Sequence, residues 1–336
     1  MKALVSTPTS EPPACVLSVA DRPMPILRPS NILIRVYASG INPSDAANGL
    51  RNLFRSSKPN IPGRDFAGVV HESASPDRFP PGTEVFGTSG DALSFSQDGT
   101  AAEFVLVPED AVVKKPRILS MPQAAAIGVP YTTALLAYDA AHLRKGVDTV
   151  LVLGATGAVG RAAICLANAW GCKVVTASRR NTTDANILKD PGLQRVKEIL
   201  GGLGPNIVID AVGSSDLLSV AMRIMQPRGR YALFAAFKGG SLEYKMNMLE
   251  LYRDEKTICG VNSIAQSPRE SGELIKRLAV MFEEKGLQPP SPSELVGVRL
   301  DEAAKSYEEA IKFDGTKRVI EFDRKVKPHL INMVSS

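Results

Sequence analysis

Gly154, Gly157 and Gly160 stand three residues apart, directly after the apolar run Thr149-Val150-Leu151-Val152-Leu153. The turn Gly154-Ala155-Thr156-Gly157-Ala158-Val159-Gly160 leads into a segment of helical spacing at 161–170. Lys173-Val174-Val175-Thr176-Ala177 follows as a second strand-like run. Strand, glycine turn, helix, strand is the order of a dinucleotide-binding βαβ unit. Gly154 permits the tight turn, Gly157 lets backbone approach a pyrophosphate, and Gly160 allows the helix to sit close on the sheet. The N–H groups opening the helix, with its dipole, suit an anion. The candidate pyrophosphate contacts are therefore Gly154, Thr156, Gly157, Ala158, Val159 and Gly160.

The end of the second strand decides which dinucleotide. An acid there would accept hydrogen bonds from both ribose hydroxyls of NAD and repel a 2′-phosphate. The chain has Ser178-Arg179-Arg180 instead, with no acid until Asp184. A hydroxyl and two guanidiniums bind a phosphate through charge-assisted hydrogen bonds, so NADPH is the expected cofactor. The plainer alternative is that Arg179 and Arg180 are solvated surface charges.

These residues need a scaffold, and 336 residues are enough for two domains with a substantial core in each. Hydrophobic residues at 44 % and charged residues at 22 % describe a soluble globular chain, with no run long enough to span a membrane. The opening residues show no signal-peptide architecture, so a cytoplasmic location is expected. A net charge of +5, scattered rather than striped, argues against nucleic acid and for a small anionic ligand. Cys15, Cys165, Cys172 and Cys259 form no Cys-x-x-Cys pair and read as reduced thiols.

Residues 1–120 read as short strands punctuated by Pro and Gly, the pattern of a compact, irregular β-barrel. Residues 121–141 read as helical around a break at Pro130. From Thr149 to about Val261 apolar strands alternate with helices, which predicts a doubly wound parallel sheet. The crossover after Arg180 is abbreviated, with only Ile187-Leu188 resembling a strand. A helix over 273–284, an N-cap at Asp301 for a helix over 302–312, and a last strand over 318–322 complete the pattern.

Ser39-Gly40-Ile41-Asn42-Pro43-Ser44-Asp45, Pro62-Gly63-Arg64-Asp65-Phe66-Ala67-Gly68-Val69-Val70, the glycine turn, Asp210-Ala211-Val212-Gly213 and Arg228-Gly229-Arg230 together resemble the zinc-independent medium-chain dehydrogenase/reductase superfamily, on its quinone oxidoreductase side. The resemblance covers nearly all of residues 1–323. It implies an α/β fold: a GroES-like β-barrel catalytic domain at 1–122, a Rossmann domain at 123–262, and a C-terminal segment, 263–336, completing the barrel. The zinc-ligand positions of related alcohol dehydrogenases correspond by motif to Asn42, Arg64 and Val129, which cannot replace a thiolate–imidazole set, so no metal is expected. His71, His142 and His329 are isolated.

Without a Lewis acid the expected reaction is hydride transfer from NADPH to an electrophile whose product anion is delocalised: a quinone, an enone or an enoyl thioester. The resemblance places Asn42, Asp45 and Arg64 facing the nicotinamide. Asn42 would bond a substrate carbonyl, and Arg64 would stabilise an enolate or hydroquinone anion. An Arg64–Asp65 ion pair and a helix cap at Asp45 are the structural alternatives. Tyr131 is a candidate proton donor or a core tyrosine, and Thr133 lies where relatives have a threonine near the nicotinamide. Val212, Gly213, Phe234, Ala235 and Ala236 are expected to line the cofactor cleft, with Asn262 and Lys317 as further contacts by resemblance. The tyrosine that quinone oxidoreductases carry after Asn-x-x-Asp is missing from Ala46-Ala47-Asn48-Gly49-Leu50-Arg51-Asn52-Leu53-Phe54, which keeps the enone and enoyl readings open. Two further alternatives stand: an enoyl reductase acting on a carrier-bound intermediate, and an NADPH-binding protein without turnover. The cleft mouth is expected at 50–58, 91–97 and 238–249. A homodimer pairing edge strands near Val261 is implied by resemblance.

Overall fold

The computed structural model describes residues 1–10, 14–52, 60–235 and 243–323. Leu53, Phe54, Ala236 and His329, with parts of two cleft-mouth segments, lie outside them.

Strands β1 (Lys2–Pro8) and β2 (Cys15–Asp21) form an antiparallel hairpin. After them come β3 (Asn31–Ile41), helix α1 (Pro43–Arg51), β4 (Asp65–Ser73), β5 (Glu84–Gly87), β6 (Phe104–Pro108) and β7 (Val112–Lys114). Helices α2 (Met121–Ala125) and α3 (Gly128–Ala140) lead into the second half. It runs β8 (Thr149–Leu153), α4 (Ala158–Ala169), β9 (Lys173–Ser178), β10 (Ala185–Asn186), α5 (Gln194–Ile199), β11 (Ile207–Asp210), α6 (Ser215–Ile224), β12 (Arg230–Leu233), α7 (Met248–Arg253) and β13 (Thr257–Gly260). Helix α8 (Pro268–Glu284), β14 (Leu295–Val298), α9 (Ala303–Ala310) and β15 (Lys317–Glu321) close the chain.

Among the described residues the second half makes a six-stranded parallel sheet in the order β10-β9-β8-β11-β12-β13. Its central strands β8 and β11 are buried on both faces. Val150 and Val152 pack with α3 and α4, whereas their neighbours Leu151 and Leu153 pack with α5 and α6. Alternation along a strand sends successive side chains to opposite faces, which is why the run is apolar throughout. Strand order reverses between β8 and β11, so the crevice at their carboxyl ends is the ligand position of such a sheet.

The other sheet runs β14-β15-β3-β4-β5-β7, with β6 also on β3. Strand β15 returns from the far end of the chain to lie antiparallel to β3, with Arg318 opposite Ile41. Helix α8 packs through Leu274, Ile275, Leu278 and Phe282 into the core that holds Tyr131 and Leu135 of α3.

Four local expectations change. The break in 121–141 falls at Ala126-Ile127, and Pro130 is the third residue of α3, where a helix has no N–H bond to lose. Helix α8 begins five residues before 273, because Ser267 and Glu270 form a capping box with Pro268 at the first position. Asp301 caps nothing: it lies in a 3-10 turn, Leu300–Glu302, and its carboxylate pairs with Arg299. The short strand after Arg180 is Ala185–Asn186 rather than 187–188, set by Asp184, whose carboxylate accepts from the Thr176 N–H at 2.8 Å.

Candidate functional site

The glycine turn ends β8 at the strand-order reversal. Gly154 has φ +77°, and its N–H bonds Ala177 O at 2.9 Å, which returns the chain across β9. A side chain at Gly160 would overlap the carbonyl of Gly154. One at Gly157 would meet only Gly154 O, at 3.4 Å, so the space above it is open. Glycine at 154 and 160 is thus required by the fold, whereas at 157 it leaves a cradle free. Helix α4 then starts with N–H groups that have no carbonyl a turn earlier to bond. The next strand end is held beside it: Asp210 accepts from the N–H groups of Val212 (2.8 Å) and Gly213 (3.0 Å) and from Tyr231 OH (2.7 Å). Burial pushes the Asp210 carboxyl up, opposed by those donors. Phe234 and Ala235 follow β12, half-buried, at the same edge. This arrangement fits the pyrophosphate of a dinucleotide.

At the end of β9, Ser178 is buried and its Oγ accepts from the N–H of Arg180 at 3.0 Å. Arg179 and Arg180 are exposed. The Arg180 Nη2 donates to Asp314 O at 2.7 Å, in the loop before β15.

The second group lies where β3, β4, α1, α3 and β15 meet. Asn42, Asp45, Arg64, Asp65 and Lys317 are each at most 3 % exposed. Arg64 Nε donates to Asp45 Oδ1 at 2.7 Å, and its Nη2 donates to Ser44 Oγ. Asn42 gives both amide hydrogens to carboxylates, Asp45 Oδ2 at 2.9 Å and Asp65 Oδ2 at 2.8 Å. Its Oδ1 accepts from Lys317 Nζ at 2.7 Å, and that ammonium stands 3.4 Å from Asp65 Oδ2. Burial pushes the Lys317 ammonium down, while the Asp65 and Asp45 carboxylates push it up. Asp65 Oδ1 accepts from Thr88 Oγ1 and from the N–H of Val129, both at 2.8 Å. That last bond caps the start of α3, and a side chain at Gly128 would overlap the same oxygen.

Three readings of the sequence are corrected here. Arg64 pairs with Asp45, not with its neighbour Asp65. Asn42 has no amide hydrogen left for a substrate carbonyl, because both are taken by carboxylates. Arg64 Nη1 is buried without a partner among the described residues, as is the hydroxyl of Tyr307, and Phe95 faces the guanidinium at 5.4 Å. Asp45, at the third position of α1, does not receive the cap bond of that helix.

Lys317 also lines a small cavity with Pro130, Tyr131, Ala158 and Arg161, which joins this group to the start of α4. Tyr131 is 4 % exposed, packs against Phe282 with ring centres 5.8 Å apart, and is pushed above the ordinary tyrosine range by burial. It is a core residue at the edge of the cavity. Thr133 is buried, and its hydroxyl has no partner among the described residues. Asn262 is exposed, and its Oδ1 accepts from the N–H of Ile264 in a turn after β13. No local sequence pattern marks Asp65, Thr88 or Ser44 as part of this group. Asp65 sits inside a motif already singled out, but only long-range partners reveal its part.

A zinc ion does not fit at Asn42 and Arg64: one side chain is fully bonded, and the other is a cation. Among the described residues no three His, Cys, Asp or Glu side chains are grouped to hold a metal.

Comparison with known proteins follows the two halves. Residues 28–117 match the alcohol dehydrogenase GroES-like domain and residues 158–279 the zinc-binding dehydrogenase family. A zinc-type alcohol dehydrogenase-like protein of Schizosaccharomyces pombe is 39 % identical over 95 % of this chain and 97 % of its own. Human quinone oxidoreductase is 28 % identical over 88 % and 90 %. The quinone oxidoreductase of Thermus thermophilus, whose structures include a complex with NADPH, superposes with a TM-score of 0.71 at 26 % identity, covering 96 % of this chain and all of that one.

Proposed function

The chain belongs to the medium-chain dehydrogenase/reductase superfamily as a quinone oxidoreductase-like oxidoreductase, and from that premise we propose that it is a zinc-independent, NADPH-dependent reductase of quinones or α,β-unsaturated carbonyl compounds. The observation that carries the reading is Arg64 Nη1, a buried cationic donor with no partner among the described residues, beside the hydrogen-bonded set Asn42, Asp45, Asp65 and Lys317. What a bound NADPH supplies is a hydride. The chain's part is to meet the charge that hydride addition puts on the acceptor oxygen. Arg64 offers that oxygen an N–H in a site largely closed to water, where such a donor acts most strongly. Asp45 holds the guanidinium in place, and Asp65 with Lys317 holds Asn42, so the donor is organised before substrate arrives. Gly154 to Gly160 take the pyrophosphate, Arg179 and Arg180 the 2′-phosphate, and the Thr133 hydroxyl, without a partner among the described residues, bonds the nicotinamide end.

Oxidation of NADPH and of NADH, followed by absorbance with a benzoquinone, an alkenal and an enoyl-CoA, tests this. Turnover of at least one acceptor, faster with NADPH, is expected. Tight NADPH binding with no turnover of any acceptor would leave a cofactor-binding protein without this activity.

A further inference from the structure

Between α9 and β15, the exposed residues Asp314 and Thr316 flank Gly315, which is half-buried against the cofactor turn. The Arg161 side chain, from the first turns of α4, donates through Nη2 to Gly315 O at 3.0 Å and through Nη1 to Thr156 O. Gly315 has φ +83°, and a side chain there would stand 2.9 Å from Thr156 O. The other end of the segment is fastened to β15. Arg318, itself 8 % exposed at the side chain, grips both Asp314 oxygens at 3.2 and 2.6 Å and also pairs with Glu309 at 3.1 Å. The N–H of Thr316 bonds Asp314 Oδ1 at 2.8 Å. The carbonyl so fixed is Asp314 O, the acceptor of Arg180 Nη2.

We propose that this strap sets cofactor selectivity: it holds Arg180 in the posture that receives a 2′-phosphate, which makes Asp314 a positioning residue for NADPH over NADH. The inference rests on the NADPH reading above. An exposed arginine surrenders substantial rotamer freedom when it binds an anion. Here one nitrogen of Arg180 is already anchored, so Nε and Nη1 reach the phosphate with part of that cost removed. Arg179 makes no side-chain bond among the described residues and lacks this advantage.

The test is calorimetric titration of NADPH and NADH into the full chain and into Asp314→Ala, Arg180→Ala and the double variant. Arg180→Ala should weaken NADPH about tenfold or more and NADH less than about twofold, the loss of one charge-assisted contact. Asp314→Ala should weaken NADPH by roughly three- to tenfold with NADH again nearly unchanged, the scale of one side chain's ordering entropy. In the Arg180→Ala background, Asp314→Ala should change nothing further, since both act through one contact. Equal weakening of both cofactors by Asp314→Ala, or full additivity of the two substitutions, would overturn the proposal. Wild-type protein that binds NADH as tightly as NADPH would overturn the cofactor reading with it. Wild-type preference for NADPH that Asp314→Ala leaves undiminished overturns the strap alone.

Discussion

Asp45 and Asp65 carry two negative charges into the interior, and Arg64 and Lys317 answer them with two positive ones. Arg64 and Asp65 adjoin in sequence yet serve different partners. In extended backbone successive side chains point to opposite sides, so Arg64 turns to α1 and Asp65 to Asn42 and β15. An ion pair between sequence neighbours is the simplest reading of the motif, and that geometry is why it is wrong here. Breaking a buried pair leaves a bare charge, at a cost of about 3–5 kcal/mol. Arg64→Lys keeps the charge opposite Asp45 but removes Nη1, the nitrogen without a partner among the described residues. It should fold, bind NADPH as wild type does, and lose about a hundred- to a thousandfold in kcat, as loss of one donor to a developing oxyanion does. Steady-state kinetics beside an NADPH titration checks this, and unchanged kcat would remove Arg64 from the chemistry.

Helices and turns separate what the fold needs from what the ligand needs. Gly160→Ala forces a side chain into the Gly154 carbonyl and should cost about 1–3 kcal/mol in chemical denaturation. Gly157→Ala meets no such obstacle and should leave the denaturation curve in place while weakening NADPH in titration. Equal loss of stability in both would mean that the turn is only structural. The segment before β15 predicts a pH effect. Arg318 beside Asp314 holds that carboxyl down, at about 2 instead of its ordinary 3.8. A folded value below the unfolded one adds stability that is complete above about pH 4 and disappears as pH falls toward 2. Urea melts of wild type and Asp314→Asn between those limits should therefore converge as the pH drops. Parallel curves would show that the pair contributes nothing.

Across the whole molecule, the two halves are joined by the chain's return. Pairing of β15 with β3 sets Lys317 beside Asn42, 275 residues away, while the preceding loop reaches Arg180 and Thr156. A ligand held by both halves stabilises the folded chain by mass action, about 2.7 kcal/mol at a hundred times its Kd. Thermal melts should rise with NADPH concentration and rise less with equal NADH; identical shifts would contradict the role given to Arg179 and Arg180. By itself, the sequence determined the βαβ unit, the doubly wound sheet and the barrel-like first part. Each of those rests on local periodicity or on residues within one turn of each other, where short-range sterics leave few choices. Tertiary structure alone decided that Asn42 is spent on carboxylates, that one nitrogen of Arg64 has no partner among the described residues, and that Asp314 reaches Arg180. Those depend on which distant segments meet and which hydrogen-bonding partners are used up there, and no spacing along the chain encodes that.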